Sequence, residues 1–381
     1  MKLPIDLKAV IEAATDIERA RNTPVSVSVL IDDSAPGDVA AHVRSAFVGA
    51  GAHARVTMGY FAGPAFSPYE GDDMAVIVAG FSEEVGRRAA EIRAAGVPVM
   101  VVTSMPRLVA DMASAYGNPI PEGDLVSPEC VVEYEAEDDA PCVSAGGAGA
   151  HVSVFAGIRA KGSAGSAAGS AGSPDDSDAP IPIDDAAADA LDRRMGEWVV
   201  AACREKRLAL ALSFPFVRRP LSLEAVSATS LQNAGIGLVL FIPGADMPLM
   251  TLNQAKMLLQ IAAAYGEPMS AARVKELAAI VAGGFACRSV ARQVAGAVPA
   301  IGWAVKAGVG YAGTKAMGLA AVEYFERGGN IAGLAGVVST ATAKATQIAG
   351  DVAATPAGAR VLSTVKTAVR QGAASVLKKT E

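Results

Sequence analysis

The sequence predicts an α/β domain followed by an all-α domain rich in Ala and Gly, in a chain of 381 residues. In the first third, short Val- and Ile-rich runs alternate with polar-faced helical stretches, which is typical of βαβ units and a small parallel sheet. A Gly-, Ser- and Ala-rich stretch interrupts this pattern, and helical stretches follow it. Composition favours folded domains, because 51% of the residues are hydrophobic and 19% are charged.

The chain divides into four expected segments. The α/β domain occupies residues 1–135, and an acidic linker occupies residues 136–190. We expect this linker to be largely disordered, because its Gly/Ser/Ala tracts and Asp runs cannot bury enough apolar surface to order themselves. The helical domain occupies residues 191–328, and Ala-rich amphipathic helices occupy residues 329–381.

Hydrophobic periodicity predicts the elements of the α/β domain in order. Leu7 to Arg21 has apolar residues at helical spacing, and Pro24 ends that helix. The run Val25 to Ile31 alternates and finishes apolar, as a strand does. The further predicted elements are a helix over Asp38 to Gly49, a strand over Met74 to Ala79, a helix over Glu83 to Ala95 and a strand over Val97 to Thr103.

The loop after the first predicted strand is where a phosphate site would lie. A phosphate-binding loop has the pattern GxxxxGK[ST], in which glycines let backbone N–H groups approach phosphate, Lys neutralises it and Ser or Thr holds Mg²⁺. The chain instead has Asp32-Asp33-Ser34-Ala35-Pro36-Gly37-Asp38-Val39, where only Gly37 fits. Asp32 replaces the first Gly and Asp38 replaces Lys, so these carboxylates would repel a triphosphate.

The motif for guanine recognition is also absent. It would require Asn-Lys-x-Asp after the strand that ends near Val102, and the chain has Thr103-Ser104-Met105-Pro106. The layout is therefore that of a degenerate, P-loop-like GTPase domain without its motifs. An unrelated small doubly wound domain stays open as the alternative.

The clustered acids of this loop have two interpretations. Asp32, Asp33 and Asp38 could chelate Mg²⁺ or form a receiver-type site, or they could be solvated loop and helix N-terminal residues, where Asp favours the helix dipole. We favour the second interpretation.

Nothing in the sequence around His42 and His53 indicates a catalytic or metal-binding partner for either residue. No Ser-His-Asp or Cys-His arrangement is supported. We predict no catalytic, cofactor-binding or metal-binding residue, no cofactor and no enzymatic activity.

Cysteine usage and the N-terminus indicate a reducing, cytoplasmic environment. Cys130, Cys142, Cys203 and Cys287 are far apart and form no CxxC pair, which supports neither a zinc site nor a disulfide framework. The first 30 residues carry charges throughout and contain no apolar core, which excludes a secretory signal.

Charge is divided sharply between the two halves. Residues 1–190 carry 12 Lys and Arg against 28 Asp and Glu, a net charge of −16, whereas residues 191–381 carry 21 against 11, a net charge of +10. A basic, apolar half suits an anionic membrane surface, where each cation gains roughly 1 kcal/mol. Nucleic acid is not expected as a partner, because the cations are not interleaved with aromatic residues that could stack bases. Docking of the two halves on each other is the alternative explanation.

The basic half contains an ordered set of motifs. A Pro-Gly turn lies within Gly235 to Pro248, and Leu252-Asn253-Gln254 begin an Ala-rich helix that runs to Tyr265-Gly266. Further motifs are Val298-Pro299-Ala300-Ile301-Gly302-Trp303, Thr314-Lys315-Ala316-Met317-Gly318 and Glu323-Tyr324-Phe325. Over about 190–328 this order resembles a bacterial YcjF-type domain of unknown function, which accompanies Era/dynamin-like GTPase domains and occurs in inner-membrane proteins.

The resemblance implies a helical, membrane-associated module of no established activity, often paired with a GTPase domain. That pairing favours the degenerate GTPase interpretation of residues 25–130. The acidic loop from Asp32 to Asp38 departs from active partners, which puts nucleotide binding by this domain in question.

Two segments of the basic half are candidates for membrane contact. Residues 277–322 are predicted to form a hydrophobic hairpin of two helices interrupted at Pro299, with small residues that allow close helix approach. This hairpin either supplies a transmembrane helix, dips into the bilayer or packs as a soluble helix pair. Ala359 to Lys379 has the pattern of a basic amphipathic helix, which suits a membrane surface or packing onto the helical domain.

From these observations we expect a non-enzymatic, membrane-associated scaffold or regulator at the cytoplasmic face of the inner membrane. Its partners would be membrane lipid, through the basic half, and a protein, through the α/β domain. The alternatives are a regulatory GTPase-like protein that still binds nucleotide, with weak turnover, and a soluble cytoplasmic helical interaction module.

Overall fold

The computed structural model describes residues 7–62, 71–128, 179–239, 246–269 and 302–336, together with residues 272, 338 and 340. The chain separates into two compact units. The sheet unit is Thr23–Val217, and the helical unit is Met1–Asn22 with Arg218–Glu381. The predicted fold class is confirmed, because the sheet unit holds a five-stranded, all-parallel sheet with helices and the described part of the helical unit is helical.

The described helices and strands are numbered here in chain order. They are α1 (Leu7–Arg21), β1 (Val25–Ile31), α2 (Gly37–Val48), β2 (Ala54–Tyr60), β3 (Met74–Val78), α3 (Glu84–Ala94), β4 (Val99–Val102), α4 (Pro106–Ala115), β5 (Leu125–Val126), α5 (Asp185–Ala202), α6 (Arg207–Ser213), α7 (Pro215–Val239), α8 (Asp246–Ala264) and α9 (Gly302–Glu326). Short 3₁₀ turns lie at Glu122–Asp124 and Ile331–Gly333.

The strand order of the sheet is β2-β1-β3-β4-β5. In its register, Val27 of β1 pairs with Val56 of β2 on one side and with Met74 of β3 on the other. The chain therefore leaves β1 in one direction and returns to its opposite side at β3. This reversal makes a switch point between the carboxyl ends of β1 and β3, which is where open α/β sheets bind ligands.

Helices cover both faces of the sheet. α3 and α4 pack on one face in a single buried cluster, where Ile92 and Val109 contact the layer formed by Leu30, Ile77 and Val101. The connection from β1 through α2 to β2 runs along the sheet in the opposite direction from the connection from β3 through α3 to β4. Because both crossovers are expected to be right-handed, α2 lies on the opposite face from α3. α5 packs against β4 and β5 and is joined to α2 by a contact between their side chains, so α2 and α5 share that second face.

The units differ from the expected domain boundaries at both ends. We expected the helical domain to begin at 191, but residues 191–217 belong to the sheet unit, and residues 1–22 belong to the helical unit rather than to the α/β domain. α5 lies with the sheet because it buries Leu191 and Met195 completely. The expected linker boundary at 190 also differs from the structure, since α5 begins at Asp185.

The helical unit is organised around α8, which packs against both α1 and α9. The Arg21 guanidinium at the end of α1 donates to the carbonyl oxygens of Gly266 and Glu267, each at 3.1 Å, and so satisfies carbonyls just beyond the end of α8. α7 and α9 approach closely, because a Cβ at Gly318 would lie 2.4 Å from a side-chain carbon of Val226.

Several predicted features lie outside the described residues. They are the linker up to residue 178, the Pro-Gly turn at residues 243–244, the first half of the hydrophobic hairpin and the amphipathic helix over 359–379. The second half of the hairpin corresponds to α9. Among the helices that the structure does describe, none combines the length and apolarity needed to cross a bilayer.

Candidate functional site

The candidate site is the carboxyl edge of the sheet, where the loops that follow the strands begin side by side. The N–H of Asp32 donates to the carbonyl of Val78 at 2.9 Å, which extends the pairing of β1 and β3 by one residue. Further along the edge, the N–H of Ala79 donates to the carbonyl of Val102 at 2.8 Å. The loops after β1, β3 and β4 are therefore held in register at the switch point.

Asp32 lies at the centre of this edge and is only 3% exposed. Its Oδ1 accepts hydrogen bonds from the N–H of Ser34 at 3.0 Å and from the Ser34 hydroxyl at 2.9 Å. Its Oδ2 accepts from the N–H groups of Gly80 at 2.8 Å and Ser82 at 3.2 Å. The N–H of Phe81 donates to the Ser34 hydroxyl oxygen at 2.7 Å. Three successive N–H groups of the β3 loop thus point at Asp32 and Ser34.

This approach of the two loops requires glycine at position 80. A Cβ there would lie 2.3 Å from the carbonyl carbon of Ser34 and 2.4 Å from the nitrogen of Ala35. No backbone atom can retreat from such a contact without separating the loops. The Gly80 backbone therefore reaches the Asp32 carboxylate only because the residue has no side chain.

The chemistry of this arrangement is that of an anion site already filled by the protein. Successive backbone N–H groups that converge on one point form a concavity that attracts anions, as in phosphate-binding loops. Here the anion is the carboxylate of Asp32. A phosphate brought to the same N–H groups would have to displace a buried, four-fold hydrogen-bonded side chain and would meet its negative charge.

The other two acids of the loop bind different segments. Asp33 Oδ2 accepts the N–H of Ala62 at 2.7 Å, and Asp38 accepts the N–H of Val39 at its Oδ1 and the N–H of Ile183 at its Oδ2, at 2.8 and 3.1 Å. The three carboxylates are therefore used separately, and the magnesium interpretation gains no support. In the described part of the chain, no group of three or more His, Cys, Asp and Glu side chains could hold a metal ion.

A short segment without helix or strand, residues 179–183, lies at the carboxyl edge, and we call it the strap. The N–H of Ile181 donates to the carbonyl of Ser104 at 3.0 Å, and the N–H of Ile183 donates to Asp38. Ser104 follows β4 in the position compared above with the guanine motif, and both it and Thr103 are completely buried. Main-chain atoms of the strap thus lie beside the loop that follows β4.

The two histidines among the described residues, His42 and His53, lie in the sheet unit. His42 Nε2 lies 2.7 Å from Asp192 Oδ1, and this contact joins α2 to α5. The hydrogen bond to Asp192 raises the pKa of His42, against the opposing effect of partial burial. His53 is exposed at the rim of an open depression at the amino end of β1 and β2, beside Lys206 and Asp73, whose charges lie 2.7 Å apart.

Cys203 is the cysteine that lies among the described residues. It is buried after α5, and burial, with a smaller contribution from the charge of Asp73, raises the pKa of its thiol to about 12. Such a thiol is almost entirely protonated at neutral pH and is a poor nucleophile. This position agrees with a packing role.

Sequence reasoning missed a polar cluster on β1. The Asp72 carboxylate accepts hydrogen bonds from the hydroxyls of Ser26 at 2.7 Å and Ser28 at 2.5 Å. Asp73 accepts the N–H of Ser26 at 2.9 Å. Two serines on the same face of an otherwise apolar strand were the available signal, because a buried hydroxyl needs a partner.

A second missed cluster lies inside the helical unit. Thr314 Oγ1 of α9 accepts from Asn233 Nδ2 of α7 at 3.0 Å and from Gln254 Nε2 of α8 at 2.8 Å. Asn253 Nδ2 donates to Asn233 Oδ1 at 3.1 Å. Three of these residues belong to the Asn-Gln and Thr-Lys motifs on which the sequence resemblance rests, and the fold brings them together as a buried network.

Comparison of the chain with protein-family models, with characterised proteins and with solved structures found no match.

Proposed function

We propose that the protein is a non-enzymatic, membrane-associated scaffold or regulator whose GTPase-like α/β unit binds a protein partner in place of turning over nucleotide. The observation that carries this proposal is the Asp32 carboxylate, which takes the hydrogen bonds that a nucleotide phosphate would need. The strap adds to it, because main-chain atoms of the same chain cover the edge near Ser104.

A protein partner is supported by the way this edge presents aromatic side chains. Phe81 is 51% exposed although its backbone N–H is fixed by Ser34, and Tyr60 at the end of β2 is 46% exposed, with its hydroxyl accepting from Arg44 at 2.9 Å. Aromatic and Arg side chains dominate protein interfaces, and a fixed backbone lowers the entropy cost of using them.

Membrane association is supported by the charge of the helical unit. Residues 218–381 carry 16 Lys and Arg against 8 Asp and Glu, so this part of the chain is attracted to anionic lipid. The test is flotation of the full chain with phosphatidylserine vesicles and with neutral vesicles, at low and high salt. We expect flotation that depends on anionic lipid. Absence of flotation with both vesicle types would reject the membrane part of the proposal.

The non-enzymatic part is tested with nucleotide and the purified full chain. We expect neither GTP hydrolysis above the buffer rate nor saturable binding of a fluorescent GTP analogue in the presence of Mg²⁺. Saturable, Mg²⁺-dependent binding that unlabelled GTP reverses would support the regulatory GTPase alternative instead.

A further inference from the structure

The strap has the features of a ligand seated in a binding site. Its backbone presents two N–H groups, from Ile181 and Ile183, to acceptors on two different elements. They are the carbonyl of Ser104 after β4 and the carboxylate of Asp38 at the start of α2. Ile181 and Ile183 are both half-buried, while Pro182 between them is exposed. The N–H of Asp184 donates to the carbonyl of Pro182 at 3.1 Å, so the strap makes a tight turn at Ile183 before α5 begins.

The residue that holds the strap also carries a polar group without a partner. Ser104 is completely buried, and within the described ranges its hydroxyl has no hydrogen-bond partner, although its carbonyl accepts from Ile181. Buried hydroxyls are normally hydrogen-bonded, so the Ser104 hydroxyl is a contact that the strap does not make.

The strap is held less firmly than the helix that follows it. Asp184 caps α5 by accepting the N–H of Ala187 at 2.8 Å, and α5 buries Leu191, Met195 and Val199 completely. The strap makes one main-chain contact at each end of the site and leaves both Ile side chains partly exposed. Segments with few buried apolar contacts open locally while the rest of a domain stays folded.

We infer that the carboxyl edge is a binding site for a peptide of the type Ile-Pro-Ile, and that residues 179–183 occupy it in cis until a partner segment of the same chemistry replaces them. This inference rests on the proposed function, because it names the site and the chemical class of the protein partner. Because the strap is joined directly to α5, its effective concentration at the site is on the order of millimolar or higher, and it competes with any peptide in trans.

The test compares the wild-type chain with the full-length double variant Ile181→Ser, Ile183→Ser, in which the strap loses its apolar side chains. The probe is a fluorescent peptide with the sequence of residues 177–186, measured by anisotropy, and the control peptide carries Ser at both Ile positions. We expect saturable binding to the variant at least about tenfold tighter than to the wild type, because the cis competitor is weakened. The control peptide should not bind, and adding Asp38→Ala to the variant should weaken binding.

Absence of saturable binding to the double variant, with its far-UV circular dichroism unchanged, would overturn the inference, as would equal binding to wild type and variant. If the variant does not fold, hydrogen exchange of the wild-type chain decides. Faster exchange at Ile181 and Ile183 than at residues 191–199 supports a displaceable strap, and equal protection contradicts it. These measurements use neither nucleotide nor lipid. A negative result therefore rejects the peptide site alone, and the proposed function is tested separately by the flotation and nucleotide experiments.

Discussion

At the scale of single residues, Asp32 explains how two loops are fixed at the switch point. A buried carboxylate that loses its donors, or donors that lose their carboxylate, pay the desolvation cost of groups left without partners. Asp33, next to it, is exposed and accepts the N–H of Ala62 from a different segment. The two neighbours therefore form a matched pair of identical chemistry and different burial.

We predict that Asp32→Ala lowers the free energy of unfolding of the sheet unit by about 2–4 kcal/mol, because several donors lose a charged acceptor. Asp33→Ala should cost about 1 kcal/mol or less, since water can replace the carboxylate there. Urea unfolding followed by circular dichroism compares the two variants. Equal effects of the two substitutions would show that Asp32 is not the organising residue.

Gly80 gives a second prediction at this scale. Gly80→Ala should destabilise the sheet unit strongly, because the added Cβ would overlap backbone atoms of Ser34 and Ala35. Gly37→Ala is the control, since nothing lies within 4 Å of a Cβ at that position, which is the first residue of α2. The midpoint temperature of thermal unfolding should therefore fall strongly in Gly80→Ala and should stay the same or rise slightly in Gly37→Ala. Similar midpoints would contradict the close approach of the loops.

At the scale of elements, the contact between His42 and Asp192 makes the attachment of α2 to α5 depend on pH. The pKa of His42 is raised in the folded state above its ordinary value of 6.5, chiefly by the hydrogen bond to Asp192. The folded state therefore binds the proton more tightly than the unfolded state. The stabilising contribution of the contact between His42 and Asp192 is complete below about pH 6.5 and is lost as the pH rises through the folded-state pKa of His42.

We accordingly predict that His42→Asn destabilises the sheet unit more at pH 5.5 than at pH 8.5, by about 1 kcal/mol or less. His53→Asn, at an exposed position, serves as the control. Unfolding in urea at both pH values measures the difference, and an NMR titration of His42 checks the direction of the pKa shift. A loss that grows with pH would contradict the assigned sign.

The buried network among α7, α8 and α9 provides a prediction for the helical unit. Thr314→Val keeps the shape of the side chain but removes the oxygen that accepts from both Asn233 and Gln254. The expected loss is about 2–4 kcal/mol, because two buried amides lose a shared acceptor. Thr15→Val on α1 is the control, since its hydroxyl bonds to the carbonyl of Ile11 at an exposed site. Equal unfolding free energies would show that the network is dispensable.

The three central strands could be predicted from their buried apolar runs, whereas α4 and the two marginal strands were missed. β1, β3 and β4 are apolar runs and lie where they were expected. β2 was missed because it is a half-exposed strand, with Arg55 and Tyr60 open to solvent, so its alternation is weak. β5 has two residues and carries no periodicity at all.

At the scale of the whole molecule, the division into units was the least predictable feature. The apolar stripe of α5, which includes Leu191, Met195 and Trp198, fits a helical bundle and a sheet equally well, so local pattern cannot choose between them. Local pattern also could not predict the contacts of the acids in the loop after β1, Asp32 to Asp38. The sequence showed that these acids do not fit a phosphate-binding motif. It did not show their partners, because two of the four donors to Asp32, the N–H groups of Gly80 and Ser82, come from a loop about 50 residues away.

The central claim is that the chain's own residues close the ligand edge of the sheet, and hydrogen exchange of the full chain tests it most directly. The N–H groups of Ser34, Gly80 and Ser82 donate to Asp32, so their exchange should be slow and should not change when GTP and Mg²⁺ are added. Fast exchange at these three amides, or protection that increases with GTP and Mg²⁺, would contradict the account and indicate an open nucleotide site.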